Sequence, residues 1–157
     1  MRFRLSQRQG FYAALLLLLA NLFGCATGPA FQQAEPAPAD QAHIYIYRKF
    51  SWGFGAQNVH QVTIDGAEPA LRLPNASWQR VLLTPGTHTV QITDYMASRR
   101  CQPYPMVLQA RAGETLFLEN TYRATGDGQG RVYVSCPSRM QDEKTALEDL
   151  NGLKRAD

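Results

Sequence analysis

Three histidines are the residues of this chain that could bind a metal ion or carry a proton near neutral pH: His43, His60 and His88. His60 and His88 share the alternation of their apolar neighbours, so both could lie on one face of a sheet and hold a metal at its edge. A closed zinc site needs four ligands, however, and no cysteine neighbours either histidine in the sequence. The pattern therefore favours hydrogen-bonded structural histidines, with His88 tied to the turn at Pro85–Gly86, and predicts no metal and no cofactor.

Patterns typical of other catalytic sites are missing from the sequence. It has no Gly-x-Ser-x-Gly motif for a nucleophile, and the glycine-rich run at 126–130 lacks the lysine and the following helix of a phosphate-binding loop. Most carboxylates, Glu119 among them, fall near predicted turns, where a solvated side chain is the ordinary state. We therefore expect no catalytic residues and a protein that is not an enzyme.

The charge balance excludes one class of partner. The chain has 16 Lys and Arg residues against 13 Asp and Glu, but three of the basic residues are Arg2, Arg4 and Arg8. Beyond residue 24 the two kinds of charge are equal in number, so no surplus positive charge is available to follow a phosphate backbone. We expect no nucleic-acid partner.

Aromatic residues separated by small ones follow the first predicted strand. Phe50, Trp52 and Phe54, here called the aromatic lip, alternate with Ser51 and Gly53. If the rings are exposed, they could bind a peptide, a glycan or another protein. The same loop could instead fold back and cap the open end of a small β-sandwich, since lone surface aromatic residues are common. The sequence leaves both interpretations open.

From Ala42 onward the hydrophobic pattern has a period of two, which is typical of strands. Turn signals such as Asp65–Gly66 separate the segments. The pattern predicts seven or eight short strands, at residues 43–47, 59–65, 70–73, 77–83, 87–93, 106–110, 115–122 and 131–135. Their number and spacing indicate a mainly β fold, an antiparallel sandwich or barrel, of which we favour the sandwich.

The C-terminal segment changes to a helical period. Ser138 and Gln141 have the spacing of a capping box, and Gly152 fits the end of a helix. The apolar residues between them share one helical face: Met140, Leu147 and Leu150. We expect one C-terminal α-helix over about residues 139–151, with its apolar face packed on the sheet.

The N-terminus has the layout of an export signal. Three arginines precede an apolar run at residues 11–23. A bilayer span takes about 20 apolar residues, so this run is too short for one, but it has the size of a signal-peptide core. The sequence predicts a signal peptide at residues 1–24.

This signal ends in a cysteine. Leu22-Phe23-Gly24-Cys25 resembles the lipobox of bacterial lipoproteins. The resemblance implies cleavage between Gly24 and Cys25, a diacylglyceryl group on the Cys25 sulfur, and an acyl chain such as palmitate on the new N-terminus. Several acyl chains anchor a protein stably in a membrane. Because Ala26 stands where an Asp would retain such a protein in the inner membrane, the implied address is the periplasmic face of the outer membrane.

A Pro- and Ala-rich segment follows the lipidated cysteine. Residues 25–41 show no hydrophobic period, which is typical of a linker. We interpret them as a tether that holds a single domain, residues 42–157, off the lipid surface.

Two cysteines remain once Cys25 carries lipid. Cys101 lies in the predicted loop before residue 106, and Cys136 follows the last predicted strand. In an oxidising compartment an even number of cysteines favours a disulfide. If the last three strands form a meander, both cysteines lie towards one end of the sheet, and we predict a Cys101–Cys136 bond that stabilises the loop.

Five motifs in order resemble the bacterial lipoprotein family called domain of unknown function 2846, which is similar to the PEGA-type β-sandwiches. They lie at Ala42–Arg48, Val62–Gly66, Leu83–Thr89, Leu108–Leu118 and Ala146–Lys154. The likeness covers nearly all of the mature chain except an inserted-looking loop at 95–105. It implies a small envelope domain and supplies no catalytic residues.

These observations lead us to expect a lipid-anchored envelope lipoprotein that acts as a non-enzymatic binding or assembly module. Its partner would be an envelope protein, a peptide or a glycan. One alternative is an enzyme acting on envelope polymers, with a site built from turn carboxylates and His60 or His88. Another is a purely structural partner protein.

Overall fold

The computed structural model describes residues 26–52, 55–94, 105–130 and 132–156; Gly24, Cys25, Phe54 and Cys101 lie outside the described residues. The elements are, in chain order, β1 Ala42–Arg48, β2 His60–Ile64, β3 Leu71–Leu73, β4 Ser77–Leu83, β5 Gly86–Asp94, β6 Met106–Ala110, β7 Thr115–Asn120, β8 Arg123–Gly126, β9 Val132–Ser135, β10 Ser138–Met140, α1 Glu143–Leu150 and β11 Lys154–Arg155.

Two sheets pack face to face and a hairpin extends from them. The central sheet has the order β10-β7-β1-β4-β11, the second sheet has the order β3-β2-β5-β6, and β8 pairs with β9. Pairing is antiparallel except for β1 with β7 and β4 with β11. The prediction of a mainly β, antiparallel sandwich with a C-terminal helix is confirmed, although two pairings are parallel and the described residues contain more short strands than the seven or eight predicted. The meander assumed for the last strands is wrong, because β6, β7 and β9 belong to three different sheets.

Alternation along the strands builds the core between the sheets. Even-numbered residues of β1 and β7 face the second sheet, and their partners across the gap come from β2 and β5. This inter-sheet core includes Ile44, Ile46, Val62, Val90, Ile92 and Leu118. The turn predicted at Asp65–Gly66 is present, with both residues at positive φ and the Ala67 amide donating to the Ile64 carbonyl oxygen at 2.9 Å.

The other face of the central sheet is covered by α1 and by the N-terminal segment. Tyr45, Phe117 and Leu150 form this outer core together with Phe31, which is 8% exposed. The Phe31 amide donates to the Leu153 carbonyl oxygen at 2.8 Å. The interpretation of residues 25–41 as a tether therefore needs correction. From Ala26 to Phe31 the segment packs on the domain, since one aromatic ring anchors a stretch without any hydrophobic period.

The helix begins later than its sequence pattern predicts. Its N-cap is Asp142, whose side chain accepts a hydrogen bond from the Thr145 amide at 3.0 Å. Ser138 is instead the first residue of β10, so the capping box assigned to Ser138 and Gln141 is wrong. The end of the helix agrees with the prediction, because Gly152 follows it with a φ of 83°.

Candidate functional site

The aromatic lip lies at one end of the sandwich, where β1 and β7 end and β2 begins. Trp52 is 87% exposed and Phe50 is 51% exposed. Their rings meet edge to face with centroids 4.7 Å apart, so each ring holds the other in place while both face solvent. Phe54, the third predicted residue of the lip, lies outside the described residues.

The base of this loop is held by hydrogen bonds from both sides. Asn75 Oδ1 accepts from the Ser51 amide at 3.0 Å, and Asn75 Nδ2 donates to the Ser51 carbonyl oxygen at 3.0 Å. On the inner side the buried Arg48 guanidinium donates to the carbonyl oxygens of Asn58, at 2.6 Å, and Gly55. The loop that carries the two rings is therefore fixed at its base, even though the rings are exposed.

A glycine is required where the loop returns to the sheets. Gly55 has a φ of 98°, and a Cβ atom there would lie 2.5 Å from the Tyr122 ring. No other residue fits such a close approach without displacing that ring. Tyr122 packs in turn over His60, with ring centroids 6.4 Å apart, so the loop and the histidine below it form one packed unit.

A cluster of His60, Asn120 and Cys136 lies beneath the loop. His60 is fully buried at the start of β2, and its Nδ1 atom contacts Asn120 Oδ1. The His60 Nε2 atom is 3.9 Å from the Sγ atom of Cys136, which is half-buried. Asn120 was missed by the sequence reasoning. Its only signal is position, as the inward-facing polar residue that ends β7.

Charged side chains meet on the outer face of the central sheet next to the lip. The buried Glu119 carboxylate contacts Lys49 Nζ at 3.0 Å and Arg139 Nε at 2.7 Å. Lys49 Nζ also lies 3.1 Å from Asp149 on α1. Burial alone would raise the pKa of Glu119, but hydrogen bonds from Arg139, Lys49 and Gln141 outweigh it and lower that pKa. The expectation of a solvated carboxylate at Glu119 is wrong.

Tyr47 extends this charged cluster towards the helix. Its hydroxyl donates to Asp149 at 3.0 Å. Burial raises the pKa of the Tyr47 phenol, and the hydrogen bond to Asp149 raises it further. The phenol therefore stays protonated and serves as a donor, and the cluster joins α1 to the central sheet.

The other two histidines take structural places, and buried His43 has its Nδ1 atom 3.1 Å from the Glu35 carbonyl oxygen. His88 Nδ1 lies 2.6 Å from Asp65 Oδ2, and its Nε2 lies 2.7 Å from the Thr84 carbonyl oxygen. The contact with Asp65 and then that with Thr84 raise the pKa of His88. The sheet register places His60 opposite Asp94 and His88 opposite Leu108, at the two ends of β5. The alternative of a shared metal site at His60 and His88 is therefore wrong, and the predicted tie of His88 to the turn is confirmed.

No group of three or more His, Cys, Asp or Glu side chains among the described residues could hold a metal ion. No helix in the same part of the chain is long and apolar enough to cross a membrane.

No protein-family model matches the chain, and no curated protein matches its sequence.

Proposed function

We propose that the protein is a lipoprotein anchored to the periplasmic face of a bacterial outer membrane and that it acts as a non-enzymatic binding module. The anchoring half rests on the charged N-terminus, the apolar run and the lipobox-like Leu22–Cys25. The resemblance to the domain of unknown function 2846 supports the same address. The ligand we propose is a peptide or a glycan segment presented in the envelope, free or on a partner protein.

The binding part of the proposal rests on one observation, the exposed rings of Phe50 and Trp52. Large rings gain free energy when a ligand covers them, and tryptophan dominates many binding interfaces. A ring on a mobile loop would lose part of that gain to ordering on binding. Here Asn75 and Arg48 hold the loop base before any ligand arrives, so this cost is reduced.

The packing of the N-terminal segment determines how the domain, and with it the aromatic lip, would be positioned relative to the membrane. Ala26 is buried and the Gly28 amide donates to the Arg155 carbonyl oxygen at 3.1 Å. An acylated Cys25 would then be one residue from the folded domain. We propose that the domain rests close to the lipid surface instead of moving freely at the end of a tether.

The anchoring proposal predicts the mature N-terminus. Cleavage after Gly24 and acylation of Cys25 should leave a diacylglyceryl-modified Cys25 as the first residue, because the lipobox supplies the thiol that receives the lipid. Mass spectrometry of the N-terminal peptide from bacterial membranes measures this. Cys25→Ser should abolish the modification and release the protein from the membrane fraction. An unmodified Cys25, or cleavage elsewhere, would contradict the anchor.

The binding proposal predicts that Trp52→Ala separates binding from stability. The exposed ring contributes little to folding, so we expect a free energy of unfolding within about 0.5 kcal/mol of wild type. Recovery of envelope partners after crosslinking should fall at least tenfold. Leu82→Ala is the matched control, because Leu82 is also a large exposed apolar residue, at 51%, but lies on β4 away from the loop. Equal recovery of envelope partners with Trp52→Ala and Leu82→Ala would show that the aromatic lip is not the binding site.

A Cys101–Cys136 disulfide remains our proposal for the loop after β5. Asp94, the last residue of β5, pairs with His60, and His60 contacts Cys136. β5 therefore ends near Cys136, seven residues before Cys101 in the sequence. A bond closing about 35 residues contributes roughly 3–4 kcal/mol in the chain-entropy treatment. Thiol counting on the denatured, unreduced mature protein should find no free thiol, and two per chain would exclude the bond.

A further inference from the structure

Residues 26–35, here called the strap, run beside β11, the last strand of the central sheet, in the manner of an added strand. Ala30 pairs with Lys154 in an antiparallel bridge. Three hydrogen bonds from backbone amides to carbonyl oxygens accompany the bridge, from Gly28 to Arg155 at 3.1 Å, from Phe31 to Leu153 at 2.8 Å and from Arg155 to Pro29 at 2.8 Å. Because all of these contacts join backbone atoms, this edge of the sheet recognises an extended chain whatever its sequence.

The side-chain recognition of the strap depends on one ring. Phe31 enters the outer core and meets Tyr45 and Trp78 edge to face, at centroid distances of 5.8 and 5.5 Å. Phe31 is buried, whereas residues 32–33 are exposed. Main-chain bonds to a sheet edge together with one side chain in a pocket are the contacts by which many peptides bind. We call the edge of β11 and this aromatic pocket the strap groove.

The strap fills this groove incompletely. The Nε1 atom of Trp78, on the wall of the pocket, is buried and has no hydrogen-bond partner among the described residues. A buried donor without a partner costs free energy that an acceptor would recover. Next to the Phe31 ring a cavity of about 470 Å³ opens between residues 31–34 and α1, with Leu147 and Asn151 on the helix side. A ligand that brings an acceptor to Trp78, or larger side chains into this cavity, would therefore gain contacts that the strap lacks.

The strap can leave the groove while the two sheets stay together. No strap residue belongs to the inter-sheet core, which lies on the opposite face of the central sheet. Residues 36–40, which connect the strap to β1, belong to neither core. At the end of the strap the Glu35 carboxylate contacts the Arg80 guanidinium, but the Glu35 side chain is 63% exposed, and ion pairs this open to water contribute little.

We infer that the strap groove is a binding site for an extended peptide that carries an aromatic residue, and that residues 26–35 occupy it as a displaceable segment of the same chain. The incoming peptide takes over the backbone bonds to β11 and places its own ring against Tyr45 and Trp78. The inference depends neither on the aromatic lip nor on the lipid anchor. On a lipid-anchored protein, displacement of the strap would also lengthen the connection between Cys25 and the domain.

Competition with the attached strap determines the affinity that can be measured. A segment held by a short flexible connection acts at a millimolar effective concentration. A strap that is closed more than nine-tenths of the time lowers the apparent affinity for a free peptide by at least about tenfold, because only the open protein can bind. Opening the strap should therefore strengthen peptide binding by at least this factor.

The test uses the fluorescence of Trp78, whose ring lines the groove. The chain has two tryptophans, so Trp52→Phe leaves Trp78 as the only one and keeps a ring at the lip. The protein is isolated in a mild detergent as the bacterium makes it and is titrated with a synthetic peptide of residues 26–35.

In this background Phe31→Ala should open the groove and shift the emission of Trp78 to longer wavelength. The peptide should reverse the shift, and it should bind at least about tenfold more tightly than it binds the protein that retains Phe31. The same peptide with the Phe31→Ala change is the matched control and should not reverse the shift, because it brings no ring to the pocket.

A second form of the protein keeps the inference testable if Phe31→Ala does not fold. A protease site placed at residues 36–40 allows the strap to be cut from the folded domain while the residues of the groove stay unchanged. The cut strap should then exchange with a labelled peptide of residues 26–35, but not with the peptide that carries Phe31→Ala. Circular dichroism establishes that each protein is folded. Failure of the peptide to restore the Trp78 emission of a folded Phe31→Ala protein or, where that variant does not fold, to replace the cut strap would overturn the inference.

Discussion

Replacing Phe31 by Ala is expected to lower the free energy of unfolding by about 3–5 kcal/mol, the usual cost of emptying a buried aromatic site. The Phe31 ring meets Tyr45 and Trp78 edge to face, at centroid distances of 5.8 and 5.5 Å. It is the aromatic anchor of the N-terminal segment in the outer core. Its loss should destabilise the domain and release residues 26–31 from β11 together.

Urea denaturation gives the change in stability, and amide hydrogen exchange shows whether the segment detaches. The amides of Gly28 and Phe31 donate to carbonyl oxygens of Arg155 and Leu153, so both should exchange much faster in Phe31→Ala. Phe50→Ala is the matched control, since it removes the same ring from an exposed position. A Phe31→Ala protein as stable as Phe50→Ala would show that the segment does not contribute to the folded domain.

The Phe31→Ala variant also tests how the lipid-anchored domain is held at the membrane. If the segment stays packed, lipid at Cys25 holds the domain against the membrane in one orientation. If Phe31→Ala frees residues 26–41, the anchored domain gains a flexible coil of about 20–24 Å. Loss of partner recovery in this variant, with the lip intact, would show that the orientation of the lip matters as well as its presence.

The second large effect is expected from Glu119→Gln. The substitution keeps the shape of the side chain but removes the charge that Lys49 and Arg139 contact. Hydrogen bonds to charged groups contribute about 1.5–3 kcal/mol each, so we expect a loss of roughly that size at pH 7. Both cations reach solvent, which keeps the loss below that of a fully buried ion pair.

The same variant should change how stability depends on pH. The pKa of Glu119 is lowered in the folded protein from an ordinary value of 4.5. A carboxyl group with a lowered folded pKa stabilises the protein fully above its unfolded pKa and loses that contribution as pH falls through the folded value. The stability difference between wild type and Glu119→Gln should therefore be constant from pH 6 to 8 and shrink below about pH 4.5.

Chemical denaturation at pH 7 and pH 3 measures this difference. Glu148→Gln is the control, because Glu148 is an exposed carboxylate on α1 with no ion pair among the described residues. It should differ little from wild type at either pH. A Glu119→Gln deficit that is the same at pH 7 and pH 3 would contradict the role assigned to the carboxylate charge.

Local patterns in the sequence were sufficient to predict much of the fold. The alternation in residues 43–47 and 87–93 predicted β1 and β5, because a strand repeats every two residues and needs no distant information. Asp65–Gly66 predicted its turn for the same reason, since both residues tolerate positive φ. The mainly β, two-sheet architecture with a C-terminal helix followed from these signals.

Only the tertiary structure decided where isolated side chains find their partners. Phe31 lies in a Pro- and Ala-rich stretch and is buried by Tyr45 and Trp78. Ser138 and Gln141 have the spacing of a helix cap, yet their side chains bind Asn120 and Glu119, so the helix starts at the next available cap, Asp142. In each case a tertiary contact that forms only in the folded protein overrode the structure that the local sequence pattern predicts.

The cluster of His60, Asn120 and Cys136 under the aromatic lip also depends on contacts that form only in the folded protein. His60 and Asn120 are 60 residues apart, and Asn120 lies 16 residues before Cys136. The sequence by itself determined that each is polar or reactive and that His60 faces inward from a strand. Their meeting depends on the parallel pairing of β1 with β7 and on the packing of the second sheet over it. Pairing between strands distant in sequence leaves no periodic signal in either strand, because each strand records only which of its faces is buried.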